Sequence, residues 1–95
     1  MTRVIHYKDS EIKIQHVLEH IQILINNSLV AFKHISSRTE WDDYQFEFPF
    51  EINDERHTLF YGMHMGLIKD VVTIRIDDEQ IDQYKMSVKD YLKLD

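Results

Sequence analysis

The sequence predicts an α+β fold: a long N-terminal amphipathic helix packed on a four-stranded antiparallel meander, with a short C-terminal helical turn. Three observations predict it. Apolar residues of the first third recur at helical spacing, later runs alternate apolar and polar residues, and clusters of polar turn formers separate those runs. At 95 residues, with 43% hydrophobic and 12% aromatic residues, the chain supports one folded domain, residues 1–95, rather than a disordered segment.

From Asp9 or Ser10, either of them suited to an N-cap, the spacing predicts one helix to about Ile35. Ile14, Leu18, Ile21, Ile25, Ser28, Phe32 and Ile35 step by four and three, with Val17 and Leu24 beside them, as a stripe for the sheet. A second series, His16, His20, Ile23, Asn27, Val30 and His34, runs down the opposite side with Ile12 nearby. Ile23 and Val30, with Ile12, are apolar on what would be the outer side, which points to a helix-to-helix contact such as a homodimer seam, with Asn27 and the histidines setting register. The competing reading is scattered aliphatic residues on an ordinary surface. Asn26-Asn27-Ser28 could also end the helix and leave Leu29 to Ile35 as a strand.

From Asp43 to Ile52, Tyr44, Phe46, Phe48, Phe50 and Ile52 alternate with Asp43, Gln45, Glu47, Pro49 and Glu51, the clearest strand signal in the chain. Pro49 lacks a backbone donor, so this strand belongs at a sheet edge or at a bulge. Asn53 to Arg56 forms a turn. Leu59, Tyr61, Met63 and Met65 alternate with Thr58, Phe60, Gly62 and His64 in a second strand, and Val72, Ile74 and Ile76 with Val71, Thr73 and Arg75 in a third, whose β-branched content suits a central position. After the polar turn Asp77 to Gln80, a fourth strand is predicted over about 82–87. Ser87-Val88-Lys89-Asp90 then resembles a capping box that starts a helical turn. No internal repeat or linker is evident. Strand curvature could close the meander into a small barrel similar in shape alone to LSm-like or SH3-like barrels.

Eleven basic and seventeen acidic residues give a net charge of −6, unevenly spread. Residues 1–39 carry +2, residues 40–55 carry seven acidic and no basic side chains, and residues 56–95 carry −1. An acidic chain without a Lys/Arg cluster lacks the electrostatic footprint for nucleic acid or an anionic membrane, and favours a basic protein surface instead. The absence of cysteine excludes disulfides, a thiolate nucleophile and cysteine-ligated zinc. The N-terminus lacks the apolar core of a signal peptide and no apolar run spans a bilayer, so a cytoplasmic protein is expected.

His16-Val17-Leu18-Glu19-His20 matches H-x-x-E-H, in which two histidines one helical turn apart hold zinc and the glutamate acts as base. The pattern resembles that of the inverzincin peptidases, which also require a further carboxylate ligand and a large chamber. His16 and His20 are therefore only a weak metal candidate, and no cofactor is expected. The serines lie in no nucleophile elbow, and Gly62 and Gly66 in G-x-x-x-G lack the lysine of a phosphate loop. The pairs Asp42-Asp43, Asp54-Glu55 and Asp77-Asp78 sit at predicted strand ends or turns, where acidic residues are ordinary.

The leading expectation is a non-enzymatic binding module that docks Glu40, Trp41, Asp42, Asp43, Glu47, Glu51, Asp54 and Glu55 on a basic surface of a nucleic-acid-handling protein, with Trp41 as anchor. In composition the chain is similar to phage-encoded inhibitors of host nucleic-acid enzymes, including anti-CRISPR proteins. The strand cannot imitate duplex DNA by itself, because Asp43, Glu47 and Glu51 fall about 13 Å apart while DNA carries about one charge per 1.7 Å. The alternatives are a structural or regulatory homodimer through the His16 to His34 helix face, and a zinc enzyme at His16, Glu19 and His20.

Overall fold

Among the described residues, eight non-glycine residues hold positive φ, and they come as four adjacent pairs: Lys8-Asp9, Asn26-Asn27, Asn53-Asp54 and Asp77-Asp78. Each pair is the two-residue loop of a β-hairpin. Positive φ at both loop positions is the type I′ geometry, whose twist matches that of the strands it joins, and Asn and Asp tolerate it better than other side chains. The computed structural model describes residues 1–17, 20–34 and 44–91, and the chain divides into two units, Met1–Thr39 with Val88–Asp95, and Glu40–Ser87.

The first unit holds β1 (Thr2–Tyr7), β2 (Ser10–Val17), β3 (His20–Ile25) and β4 (Ser28–His34), antiparallel and in sheet order β1-β2-β3-β4. One face buries Ile5, Ile12, Ile14, His16, Ile21, Ile23 and Ile25. The single helical turn α1 (Val88–Tyr91) belongs to this unit, and the Met1 ammonium donates to the carbonyls of His16 at 2.8 Å and Asp90 at 3.3 Å.

The second unit holds β5 (Tyr44–Ile52), β6 (Glu55–His64), β7 (Asp70–Ile76) and β8 (Glu79–Met86), again antiparallel and in sequence order. Its buried face carries Phe48, Phe50, Ile52, Leu59, Tyr61, Met63, Val72, Ile74, Ile76, Tyr84 and Met86. β5 is an edge strand, the position that Pro49 demands. β5 and β8 are the two edges, so among the described residues the meander does not close into a barrel.

The fold is therefore nearly all β, and the predicted α+β architecture with its long N-terminal helix is overturned: the segment read as that helix forms strands β2 to β4. The cause is a coincidence of periods. Ile12, Ile14 and His16, then Ile21, Ile23 and Ile25, alternate at a period of two, while isoleucines taken from both runs also fit steps of three and four. β-branched isoleucine and the Asn-Asn pair decide for two strands and a tight turn. Of the two readings for Leu29 to Ile35, the strand is found over the described part, Ser28–His34. The second helical series is dispersed: His16 and Ile23 are buried, whereas His20, Asn27, Val30 and His34 are exposed. The helix-to-helix seam predicted from it does not exist. Leu18, Glu19 and Ile35 lie outside the described residues.

The last three strands of the two units, β2 to β4 and β6 to β8, correspond in register. Ile12 pairs with Ile25 as Leu59 pairs with Ile76. The register irregularity at Ile23/Leu24 in one unit recurs at Ile74/Arg75 in the other. On this correspondence Glu11 matches Thr58, Lys13 matches Phe60, Leu24 matches Arg75, and Asn26-Asn27 matches Asp77-Asp78.

Candidate functional site

The outer face of the second sheet is where its polar alternation comes together. Register places Glu47 opposite Phe60 and Phe60 opposite Arg75, with the next row along formed by Gln45, Gly62, Thr73 and Gln83. Pro49 lies opposite Thr58, and Glu51 opposite Arg56. An aromatic ring on the outer face is explained by its neighbours. The Phe60 ring lies over Gly62, where an added Cβ would meet Phe60 Cε1 at 2.6 Å, and the Arg75 guanidinium carbon sits 4.0 Å from the ring centroid. The glycine is thus the floor of an aromatic shelf, and the arginine is stacked on top of it.

Two concavities share Phe60. An acidic recess of about 310 Å³ is lined by Glu47, Thr58, Phe60, Asp77 and Asp78. It holds three carboxylates, one hydroxyl and one aromatic wall, and no basic side chain. A trough of about 200 Å³ on the other side is lined by polar, apolar and aromatic groups around Arg75, with no carboxylate among the described residues. Tyr44 also borders it, and partial burial raises the pKa of the Tyr44 hydroxyl because the phenolate is less well solvated.

The recess is built by a turn. Asp77, the first residue of the β7–β8 loop, donates its N–H to the Thr58 carbonyl at 2.9 Å and accepts the Thr58 N–H on Oδ1 at 2.9 Å, extending the ladder by one step. Its Oδ2 lies 2.6 Å from Nδ1 of the buried His57. Asn26 does the same in the first unit, bonding Glu11 through backbone and Oδ1 at 2.8 and 2.9 Å and donating Nδ2 to Ser10 Oγ at 3.3 Å. Beside it the first unit supplies its own cation: Lys13 Nζ donates to Asn27 Oδ1 at 3.3 Å and stands 3.8 Å from the Glu11 carboxylate. In the second unit Phe60 takes the place of that lysine, and Asp78 that of Asn27.

Of the residues singled out by sequence, Glu47 lines the recess. Glu51 is exposed on the same face, with Arg56 as its cross-strand neighbour. Asp54 is the second residue of the β5–β6 turn. Glu55 opens β6 with its carboxylate 3.6 Å from His57 Nε2, away from the recess. Glu40, Trp41, Asp42 and Asp43 lie outside the described residues. His16 and His20 do not converge: His16 is buried on the inner face of β2, while His20 is exposed on β3. The helical spacing that suggested zinc is absent, and among the described residues no group of three or more His, Asp or Glu is placed to hold a metal. Sequence reasoning missed Phe60, Arg75, Asp77 and Asp78 as site residues. The available signal was a phenylalanine on the polar side of its strand, two residues before a glycine.

Among the described residues no helix is long and apolar enough to cross a membrane. No protein-family model, curated protein or solved structure matches the chain.

Proposed function

We propose that this chain is a non-enzymatic binding protein whose second sheet docks its acidic outer face on a basic protein surface, seating a lysine or arginine side chain in the recess formed by Glu47, Asp77 and Asp78 against Phe60. The observation that carries it is the comparison between the two units. Where the first unit answers its turn amide with its own Lys13, the second presents carboxylates and an aromatic ring and supplies no cation. A cation entering there gains ion pairing with the carboxylates beside the apolar side of Phe60, whose ring face is held by Arg75. The turn itself does not require the charge, since Asn26-Asn27 makes the equivalent loop with neutral side chains.

Long-range charge favours the same encounter. Glu40–Ser87 holds twelve acidic and four basic residues, a net −8, while the rest of the chain is +2. A field of that sign steers a basic partner and gives an association rate that falls with salt. Nucleic-acid-handling proteins carry basic surfaces of this kind, and a small acidic chain lying on one would compete with the nucleic acid for it.

The test is an amide-resolved NMR titration of the full chain with an oligo-arginine peptide, an oligo-glutamate peptide serving as control. Shifts centred on Glu47, Thr58, Phe60 and Asp78, weakened about tenfold in Asp78→Asn and abolished by added Glu47→Gln, are expected. Shifts of equal size on both sheets, or a titration unchanged in the double variant, would overturn the reading.

A further inference from the structure

The trough on the other side of Phe60 has the opposite chemistry. In a unit of net −8 its described lining presents no carboxylate, and the arginine among those residues is Arg75. Its guanidinium carbon lies 4.0 Å from the Phe60 ring centroid, and its buried Nε has no hydrogen-bond partner among the described residues. A buried donor without a partner is costly, and a guanidinium over a ring face still has N–H groups to offer a planar acceptor that enters beside it. The neighbouring row adds donors. Thr73 Oγ1 accepts from Gln83 Nε2 at 3.2 Å, which leaves its own hydroxyl proton to give, and the Gln45 amide stands on the same face.

We propose that this trough is a carboxylate-binding site, in which Arg75 takes both carboxylate oxygens through its N–H fork and Thr73 and Gln45 donate to the same group. The planar fork matches a planar carboxylate. One arginine within an acidic unit balances a single negative charge and not the doubled charge of a phosphate, so the ligand is a monoanion. Gly62 sets the depth: without a Cβ it lets the Phe60 ring lie down and carry the guanidinium at the height of the trough wall. The site stands independently of the cation recess, because its ligand approaches Arg75 and not Asp78.

The test follows the Arg75 Nε–Hε resonance and the backbone amides of the full chain while N-acetylglycine, N-acetylglycine amide and inorganic phosphate are added in turn. The expected result is a saturable shift at Arg75, Gly62 and Thr73 with the free acid alone. Arg75→Lys, which keeps the charge and loses the fork, should weaken binding roughly tenfold, and Arg75→Gln should abolish it. Gly62→Ala, which displaces the ring beneath the guanidinium, should weaken it while unchanged amide shifts at Leu59 and Ile74 report an intact sheet. An equal response to the amide, a non-saturating shift, or an undiminished response in Arg75→Gln would overturn the site, and phosphate binding as tightly as the free acid would overturn its assignment to carboxylates. Titration of Arg75→Gln with the oligo-arginine peptide separates the two proposals, since that binding is expected to survive.

Discussion

The Asp77 carboxylate bridges a turn to a buried side chain: Oδ2 lies 2.6 Å from Nδ1 of His57, and Oδ1 takes the Thr58 N–H at 2.9 Å. His57 is 5% exposed and its ring lies 5.6 Å from that of Phe50. A buried imidazole is thereby oriented by the loop that also shapes the acidic recess. Asn26 and Ser10 hold the corresponding places in the first unit, so one device serves both sheets with different side chains.

Asp77→Ala should destabilise the chain by about 1–3 kcal/mol, because it strands a buried imidazole donor and the Thr58 amide together. Asp77→Asn keeps the Oδ1 acceptor and the turn conformation, and should cost less. Urea titration of both variants checks the order. Equal stability of Asp77→Ala and the parent would mean that the His57 contact contributes nothing to the fold.

The turns make a second prediction. Asn27 holds φ 68°, so Asn27→Gly should be close to neutral, whereas Asn27→Val should cost about 1–2 kcal/mol through left-handed strain alone. Denaturation midpoints of the pair decide it. A valine tolerated as well as glycine would exclude the type I′ loop.

The second half of the fold was legible because Tyr44 to Ile52 carries only one pattern: aromatic residues every second position, with Pro49 consigning the strand to an edge. The first half was not. Five isoleucines, at positions 12, 14, 21, 23 and 25, fit both periods, and only the conformational demand of Asn26-Asn27 separates them. The duplication of the two units was hidden for another reason. What they share is a turn pair, a bulge and inward aliphatic residues, while their outward residues differ in kind, Lys13 against Phe60 and Leu24 against Arg75. Glu47 was visible as an acidic strand residue, but its partners in the recess come from a turn 30 residues later that local pattern cannot bring near it.

Truncation separates strand from helix in the first unit. Ile23 is fully buried, so Ile23→Ala should cost about 2–5 kcal/mol. Phe32 is 50% exposed on the edge strand, and Phe32→Ala should cost well under half as much. A helical stripe through Ile21, Ile25 and Phe32 would demand the reverse order. Thermal denaturation of the two variants reads it directly.

Alkaline pH tests the partly buried Tyr44 at the start of β5. Its hydroxyl pKa is raised from 10.0 by burial, so the folded chain keeps a proton that the unfolded chain gives up near pH 10.0. Above that pH the unfolded state binds fewer protons than the native state, and stability therefore falls as pH rises toward the raised value. Below it Tyr44 is neutral in both states and contributes no slope. Tyr44→Phe removes the ionising group and keeps the ring that meets Phe46 edge-on at 5.9 Å. Urea midpoints measured at about pH 9 and about pH 11 should therefore fall further for the parent than for Tyr44→Phe. Parallel falls would mean that burial of the Tyr44 hydroxyl does not contribute to the alkaline loss of stability.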